Sequence, residues 1–349
     1  MRKPMLFSSL AVGKRCTFVH GTRKVLWPLP LAMVLMIFML VQGTAQAQVA
    51  RIEFHPVATI TLSDSELLSG QATGKPVTIA GVLNLPKPGK DKLPAVIILH
   101  GSSGPGGTNG PTADWSHRLN ALGIATFGLD CFAGRGIVST SEDQGKFGRL
   151  NMIVDAYKAL KLLSRHPRID PGKIALLGIS RGGQGALYAA MKRMRTAYGS
   201  PQVEFAGFMA LYPNCITSYR DETVTTGKPI RILHGTADDY NPIVPCRAYV
   251  DRAGKAGADI QLLEYNGAHH GFDAEALRKS IQCKTCQTDR RCKLAEKEGG
   301  LIVNLETQKP FSYSDACVET GTTLAYNEAE GPKARADALE FFKSLFGLK

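Results

Sequence analysis

The chain predicts an α/β fold, a mainly parallel central sheet with helices on both faces, and three observations predict it. Short apolar runs of strand length recur at 95–99, 124–129, 174–177, 205–211 and 230–233. Between them lie segments of helical period; in 150–165, Ile153, Ala156, Tyr157, Leu160 and Leu163 form one apolar face. Glycine-rich or acidic turns follow the strands, and the sharpest is Gly178-Ile179-Ser180-Arg181-Gly182, between a strand and a helix start at 184–190. A G-x-S-x-G segment in that setting is the sequence form of a nucleophile elbow, which lifts the central hydroxyl clear of the sheet. Ser180 is therefore the candidate nucleophile. The competing reading is a glycine-rich turn that contains a serine.

Residues 51–74 carry a weak pattern: 57–62 could be a strand, and 63–69 reads as a polar turn. A strand at 77–85 is broken by Pro86-Lys87-Pro88-Gly89. The run 95–99 suits a central parallel strand covered on both faces. It ends in His100-Gly101-Ser102-Ser103-Gly104, where the second donor of an oxyanion hole is expected. The N–H of Ser102 takes that role, with the N–H of Arg181 as the first donor, and His100 is expected to orient the loop rather than move protons. A helix over 115–122 and a strand over 124–129 lead to Asp130-Cys131-Phe132-Ala133-Gly134-Arg135, on the side where open α/β sheets bind ligands. Arg135 is thus a candidate substrate contact, against the alternative of a structural ion pair.

Past the elbow, the strand at 230–233 delivers His234-Gly235-Thr236-Ala237-Asp238-Asp239. A carboxylate there can fix the tautomer of a histidine and stabilise its positive charge. Asp238 is the candidate, with Asp239 as competitor. A helix over 245–256 and a strand over 260–265 precede Asn266-Gly267-Ala268-His269-His270-Gly271-Phe272, in which His270 is the candidate base and His269 its competitor. Residues 274–331 interrupt the alternation as a cysteine-rich excursion near the mouth of the site, and a helix over 333–346 closes the chain.

Residues 1–47 read as a signal segment. Six basic residues and no acidic ones precede the apolar run 29–41, and Ala45-Gln46-Ala47 offers a cleavage site. The run falls short of the roughly 20 residues of a membrane span. A retained anchor is the alternative to cleavage, and a periplasmic or secreted protein is expected. Loss of the six basic residues lowers the formal net charge from +12 to +6. The remainder is spread along the chain, which speaks against a nucleic-acid partner. Of eight cysteines, Cys16 leaves with the segment, so an odd number remains and at least one is free or bridged between molecules. Cys283, Cys286, Cys292 and Cys317 could form a zinc cluster, but an oxidising compartment favours disulfides. Segments 1–47, 48–74 and 75–349 are accordingly signal, N-terminal extension and main domain.

HGSSGPGG, GISRGG, LHGTADDYNP and YNGAHHGFD, in this order, resemble the dienelactone hydrolase family of α/β-hydrolases, over about residues 77–346. The resemblance implies the α/β-hydrolase fold and Ser180, Asp238 and His270 as the triad. The family proper is similar but carries a cysteine in the elbow. Ser180 at that position points to the esterases and other acyl hydrolases of the wider family, and the leader to an exported member. Cys215 and Cys246 follow elements that look adjacent, so a disulfide is expected between them. The expected reaction is hydrolysis of a small-molecule carboxylic ester or lactone without metal or organic cofactor. Peptidase or acyltransferase chemistry on the same triad, and a noncatalytic exported binding protein, are the alternatives.

Overall fold

The computed structural model describes residues 49–71, 73–106 and 110–349. The signal segment expected over 1–47 lies outside them. Strands β1 (Arg51–Thr61), β2 (Lys75–Leu85), β3 (Leu93–Leu99), β4 (Ala125–Asp130), β5 (Ile169–Ile179), β6 (Phe208–Leu211), β8 (Ile230–Gly235) and β9 (Ile260–Tyr265) make one sheet; the short β7 (Thr217–Ser218) lies outside it. The sheet order is β1-β2-β4-β3-β5-β6-β8-β9. β1, β2 and β4 pair antiparallel, and every pair from β4 to β9 is parallel. The C-terminal ends of the parallel strands therefore share one edge, where the loops of interest gather.

The described α-helices are α1 (Asp64–Leu68), α2 (Pro111–Ala121), α3 (Met152–Leu163), α4 (Arg181–Ala189), α5 (Lys192–Tyr198), α6 (Ile243–Lys255) and α7 (Glu330–Phe346). The unbroken apolar run of β3 has a two-sided explanation. Ala95, Ile97 and Leu99 join a core with Met152, Ile153 and Ala156 of α3 and Cys246 and Tyr249 of α6. Val96 and Ile98 join a second core with Trp115 and Leu119 of α2 and Ala338 and Phe342 of α7. Since successive side chains alternate between faces, a strand covered twice needs apolar residues at both parities.

The boundary expected at residue 75 is corrected. β1 pairs with β2 along its whole length, from Arg51 opposite Leu85 to Thr61 opposite Lys75, so the extension belongs to the hydrolase domain. Its pattern is weak because this edge strand is half exposed, with Phe54 at 79% and Ile52 at 55%. The polar turn expected over 63–69 is a short helix instead. Ser63 Oγ accepts the Glu66 N–H while the Glu66 carboxylate accepts the Ser63 N–H, a capping box readable as Ser63-x-x-Glu66.

The excursion over 274–331 is itself β-rich. β10 (Ile281–Thr288) and β14 (Glu319–Leu324) form an antiparallel ribbon, and β11 (Leu294–Glu296), β12 (Ile302–Asn304) and β13 (Lys309–Pro310) form a small sheet with β7. Its four cysteines are bridged as Cys283–Cys286 and Cys292–Cys317, in place of the zinc cluster considered as an alternative. The disulfide expected between Cys215 and Cys246 is present and ties the loop after β6 to α6. Cys131 is the free, buried thiol left over among the described residues.

Candidate active site

Ser180 sits between β5 and α4 with φ 56° and ψ −113°. A non-glycine residue held there stores strain on the order of 1–3 kcal/mol, which the neighbouring packing must sustain. The flanking glycines are required by contact. A Cβ on Gly178 would lie 1.9 Å from the Gly182 carbonyl oxygen, and one on Gly182 would lie 2.4 Å from that of Leu99. The turn is therefore pressed against its own helix on one side and against β3 on the other.

Three loops bring side chains to Ser180. The Ser180 Oγ lies 2.9 Å from His270 Nε2, in the loop after β9, and His270 Nδ1 lies 2.8 Å from Asp238 Oδ2, in the loop after β8. Both partners are buried, His270 at 4% and Asp238 at 5% exposure. Burial alone would raise the Asp238 pKa. The His270 charge and hydrogen bond, His234 and the Asn241 N–H outweigh it and hold the carboxyl below the usual aspartate value. The other oxygen, Oδ1, accepts the N–H groups of Tyr240 and Asn241 at 2.9 and 2.8 Å. An ionised Asp238 can only accept, so Nδ1 of neutral His270 carries the proton, and Nε2 is left to accept from the serine hydroxyl.

The competitors occupy other places. Asp239 accepts the backbone N–H and the hydroxyl of Thr323, which clasps the β10–β14 ribbon to the acid loop. His269 keeps Nδ1 buried with no partner among the described residues. The ribbon also holds the histidine loop, since the Ala325 N–H donates to the His270 carbonyl.

On the other side of Ser180 lies the loop after β3. His100 Nδ1 donates to the Gly101 carbonyl at 2.8 Å, and its Nε2 accepts the Cys131 N–H at 3.1 Å. Burial lowers the His100 pKa, so the ring stays neutral in a fixed tautomer and ties the loop to the end of β4, the orienting part expected of it. Among the described loop and cap hydrogen bonds, no backbone carbonyl takes the N–H of Ser102 or of Arg181. The Arg181 side chain turns inward and donates to the carbonyls of Phe147 and Gln144 and to Gln144 Oε1. Sequence reasoning missed Gln144. The same amide oxygen accepts from Ser102 Oγ, and its NH2 donates to Tyr240. Gln144 thus joins the residue after Ser180, the loop after β3 and the acid loop. Only the convergence of distant loops reveals it, because nothing in its local sequence marks it.

Arg135 is not brought to this site. Its guanidinium pairs with both oxygens of Asp155 at 2.9 Å and donates to Thr61 Oγ1 and to the carbonyls of Ile60 and Cys131. With its side chain 4% exposed, it locks β1 to α3 and is a structural ion pair, a correction to the substrate contact expected from its place after β4. The cavity at Ser180 holds about 220 Å³, with Ile179, Tyr212, Tyr240 and Leu277 among its walls. The Tyr212 and Tyr240 rings flank His270, at centroid distances of 4.6 and 4.8 Å.

A model of the dienelactone hydrolase family matches residues 79–297. Among solved structures, the chain is similar to a protein from Klebsiella pneumoniae described as a candidate dienelactone hydrolase, with 15% identity, TM-score 0.53, and coverage of 83% of this chain and 98% of that one. It is also similar to a dienelactone hydrolase-like promiscuous phosphotriesterase from metagenomic libraries, with 18% identity, TM-score 0.55, and coverage of 84% and 98%. At these identities the likeness concerns the fold. None of the curated proteins compared with the chain matches it. The family match spans well over half of the chain, and the chain belongs to the dienelactone hydrolase family of α/β-hydrolases and is a carboxylic ester hydrolase.

Proposed function

We propose that the protein cleaves a carboxylic ester or lactone through an acyl-enzyme on Ser180, with His270 as base and Asp238 as the residue that orients it. One observation carries the reading: the relay of 2.9 Å and 2.8 Å contacts from Ser180 Oγ through His270 to Asp238, at the C-terminal edge of a parallel sheet. Ser180 Oγ attacks the carbonyl carbon as its proton passes to His270 Nε2. The oxyanion is received by the N–H groups of Ser102 and Arg181. His270 returns the proton to the alcohol as the ester bond breaks. Water, deprotonated by the same imidazole, then releases the acid and restores the serine.

Three disulfides support an oxidising, extracytoplasmic setting. No described helix is long and apolar enough to cross a membrane. Intact-mass analysis after fluorophosphonate treatment tests the assignment. One adduct is expected on the wild type, none on Ser180→Ala, and strongly slowed labelling on His270→Ala. An unlabelled, folded wild type would overturn the assignment of an acyl-enzyme to Ser180.

A further inference from the structure

The space around Ser180 has two compartments. The inner cavity of about 220 Å³ is open at its rim, and its walls are mainly buried residues such as Thr112, Tyr212 and Ala274. An outer groove of about 820 Å³ runs along Ile137, Val138 and the Cys283–Cys286 disulfide. The two share four wall residues, Ser103, Ser141, Cys286 and Leu324, so each opens beside the other at the ribbon. The register shift of β10 lies between Cys283 and Gln287, and the Cys283–Cys286 bridge fixes that irregular stretch at the boundary.

Size and charge limit what each compartment holds. A dry apolar cavity of about 150 Å³ accommodates benzene, and ligand pockets for drug-sized molecules span about 300–1,000 Å³. The inner volume therefore suits one compact substituent, and the groove suits a larger one. None of the described side chains lining the inner cavity belongs to lysine, arginine, aspartate or glutamate. A carboxylate buried there would lose its hydration with no cation to replace it. The groove exposes Val138 at 87%. Its charged walls are Glu142, engaged by the Thr285 hydroxyl at 2.7 Å, and Lys146.

The order of events decides which half goes where. The alcohol leaves first, and water must then reach the acyl-enzyme from the vacated side. The group facing the open groove is thus the alcohol, and the enclosed group is the acyl chain. Resting on the acyl-enzyme reading above, we propose that the natural substrate is an ester of a compact, uncharged acyl group with a larger alcohol, and that Cys286 and Leu324 form the divide between them.

Two substrate series on the purified mature protein test this. With 4-nitrophenol as the constant leaving group, kcat/KM should peak between acetyl and hexanoyl esters and fall at least about tenfold by decanoyl, since even one surplus methylene costs about that much in a fitted pocket. An acyl chain ending in a carboxylate should react at least about 100-fold more slowly than its neutral counterpart. With acetyl held constant, esters of cyclohexylmethanol and other bulky alkanols, whose leaving-group acidity is close to that of ethanol, should exceed ethyl acetate. Ala276→Phe, at an exposed position on the inner rim, should shorten the preferred acyl chain. Val138→Asp should reduce kcat/KM about fivefold for bulky-alcohol acetates only. A wild type that prefers decanoyl esters, or a Val138→Asp effect confined to the acyl series, overturns the division. Fluorophosphonate labelling of the same samples separates the two failures: labelled Ser180 with the wrong profile refutes only the division, whereas unlabelled Ser180 refutes the acyl-enzyme itself.

Discussion

Replacing Asp238 by asparagine would invert the proton on His270 without disturbing the shape of the site. Oδ1 of Asp238 accepts two backbone N–H groups, from Tyr240 and Asn241. An asparagine at 238 must keep its oxygen there, which turns its NH2 toward His270 Nδ1, now 2.8 Å from Oδ2. That nitrogen would have to accept, so the imidazole proton would move to Nε2 and face the serine oxygen. A protonated Nε2 cannot remove the serine proton. In a serine protease triad the same exchange lowers kcat about 10⁴-fold, roughly 5.4 kcal/mol of barrier, and a loss of that order is expected here. The assay is the rate of fluorophosphonate labelling followed by intact mass, beside kcat on a short-chain 4-nitrophenyl ester, with circular dichroism to confirm the fold. A folded Asp238→Asn protein labelled within about tenfold of the wild-type rate would refute the assignment of Asp238 and the tautomer argument with it.

Gly182→Ala would place a Cβ 2.4 Å from the Leu99 carbonyl oxygen, so the elbow must shift or the protein unfold. Thermal melting should show a loss of several °C or no folded protein, and an unchanged Tm would contradict the close packing of the start of α4 against β3. Arg135→Ala would strand Asp155 as a buried, unpaired charge, at about 3–5 kcal/mol in a denaturant titration. The fraction that remains folded should label at Ser180 at the wild-type rate, because Arg135 does not touch the cavity.

Stability should also fall on the acid side in two stages. The pKa values of His100 and His234 are lowered by burial, so their unfolded forms take up protons as the pH drops through the ordinary histidine value of 6.5, and stability declines there. Asp238, with its pKa lowered in the fold, contributes stability that is complete above 3.8 and is lost as the pH falls through its folded value. Asp273 acts in the opposite sense. Burial raises its pKa while Trp115 donates to it, so Asp273→Asn should stabilise the protein more at pH 8 than at pH 4, as read by urea denaturation at each pH.

Much of the site was legible because its parts are local. The elbow needs glycine at fixed offsets from Ser180, and apolar runs with their following loops mark strands whose C-terminal ends share one edge. Chain order alone therefore placed Ser180, Asp238 and His270 on one side of the sheet. Choices between neighbours were less legible. Asp238 and Asp239 differ by one residue, and the tertiary fold gives the first to His270 and the second to Thr323. Arg135 occupies a loop position shared by ligand contacts and ion pairs, and only the approach of Asp155 from α3 decides between them. β1 escaped a clear reading because an edge strand lacks the two-sided apolar cover that makes β3 conspicuous. Gln144 and the ribbon walls Cys286 and Leu324 acquire meaning only when segments far apart in sequence meet. Local periodicity and turn chemistry, which depend on near neighbours, determined the fold class and the reactive loops. Hydrogen bonds and walls built across the fold, which depend on long-range packing, decided which side chains line the cavity at Ser180.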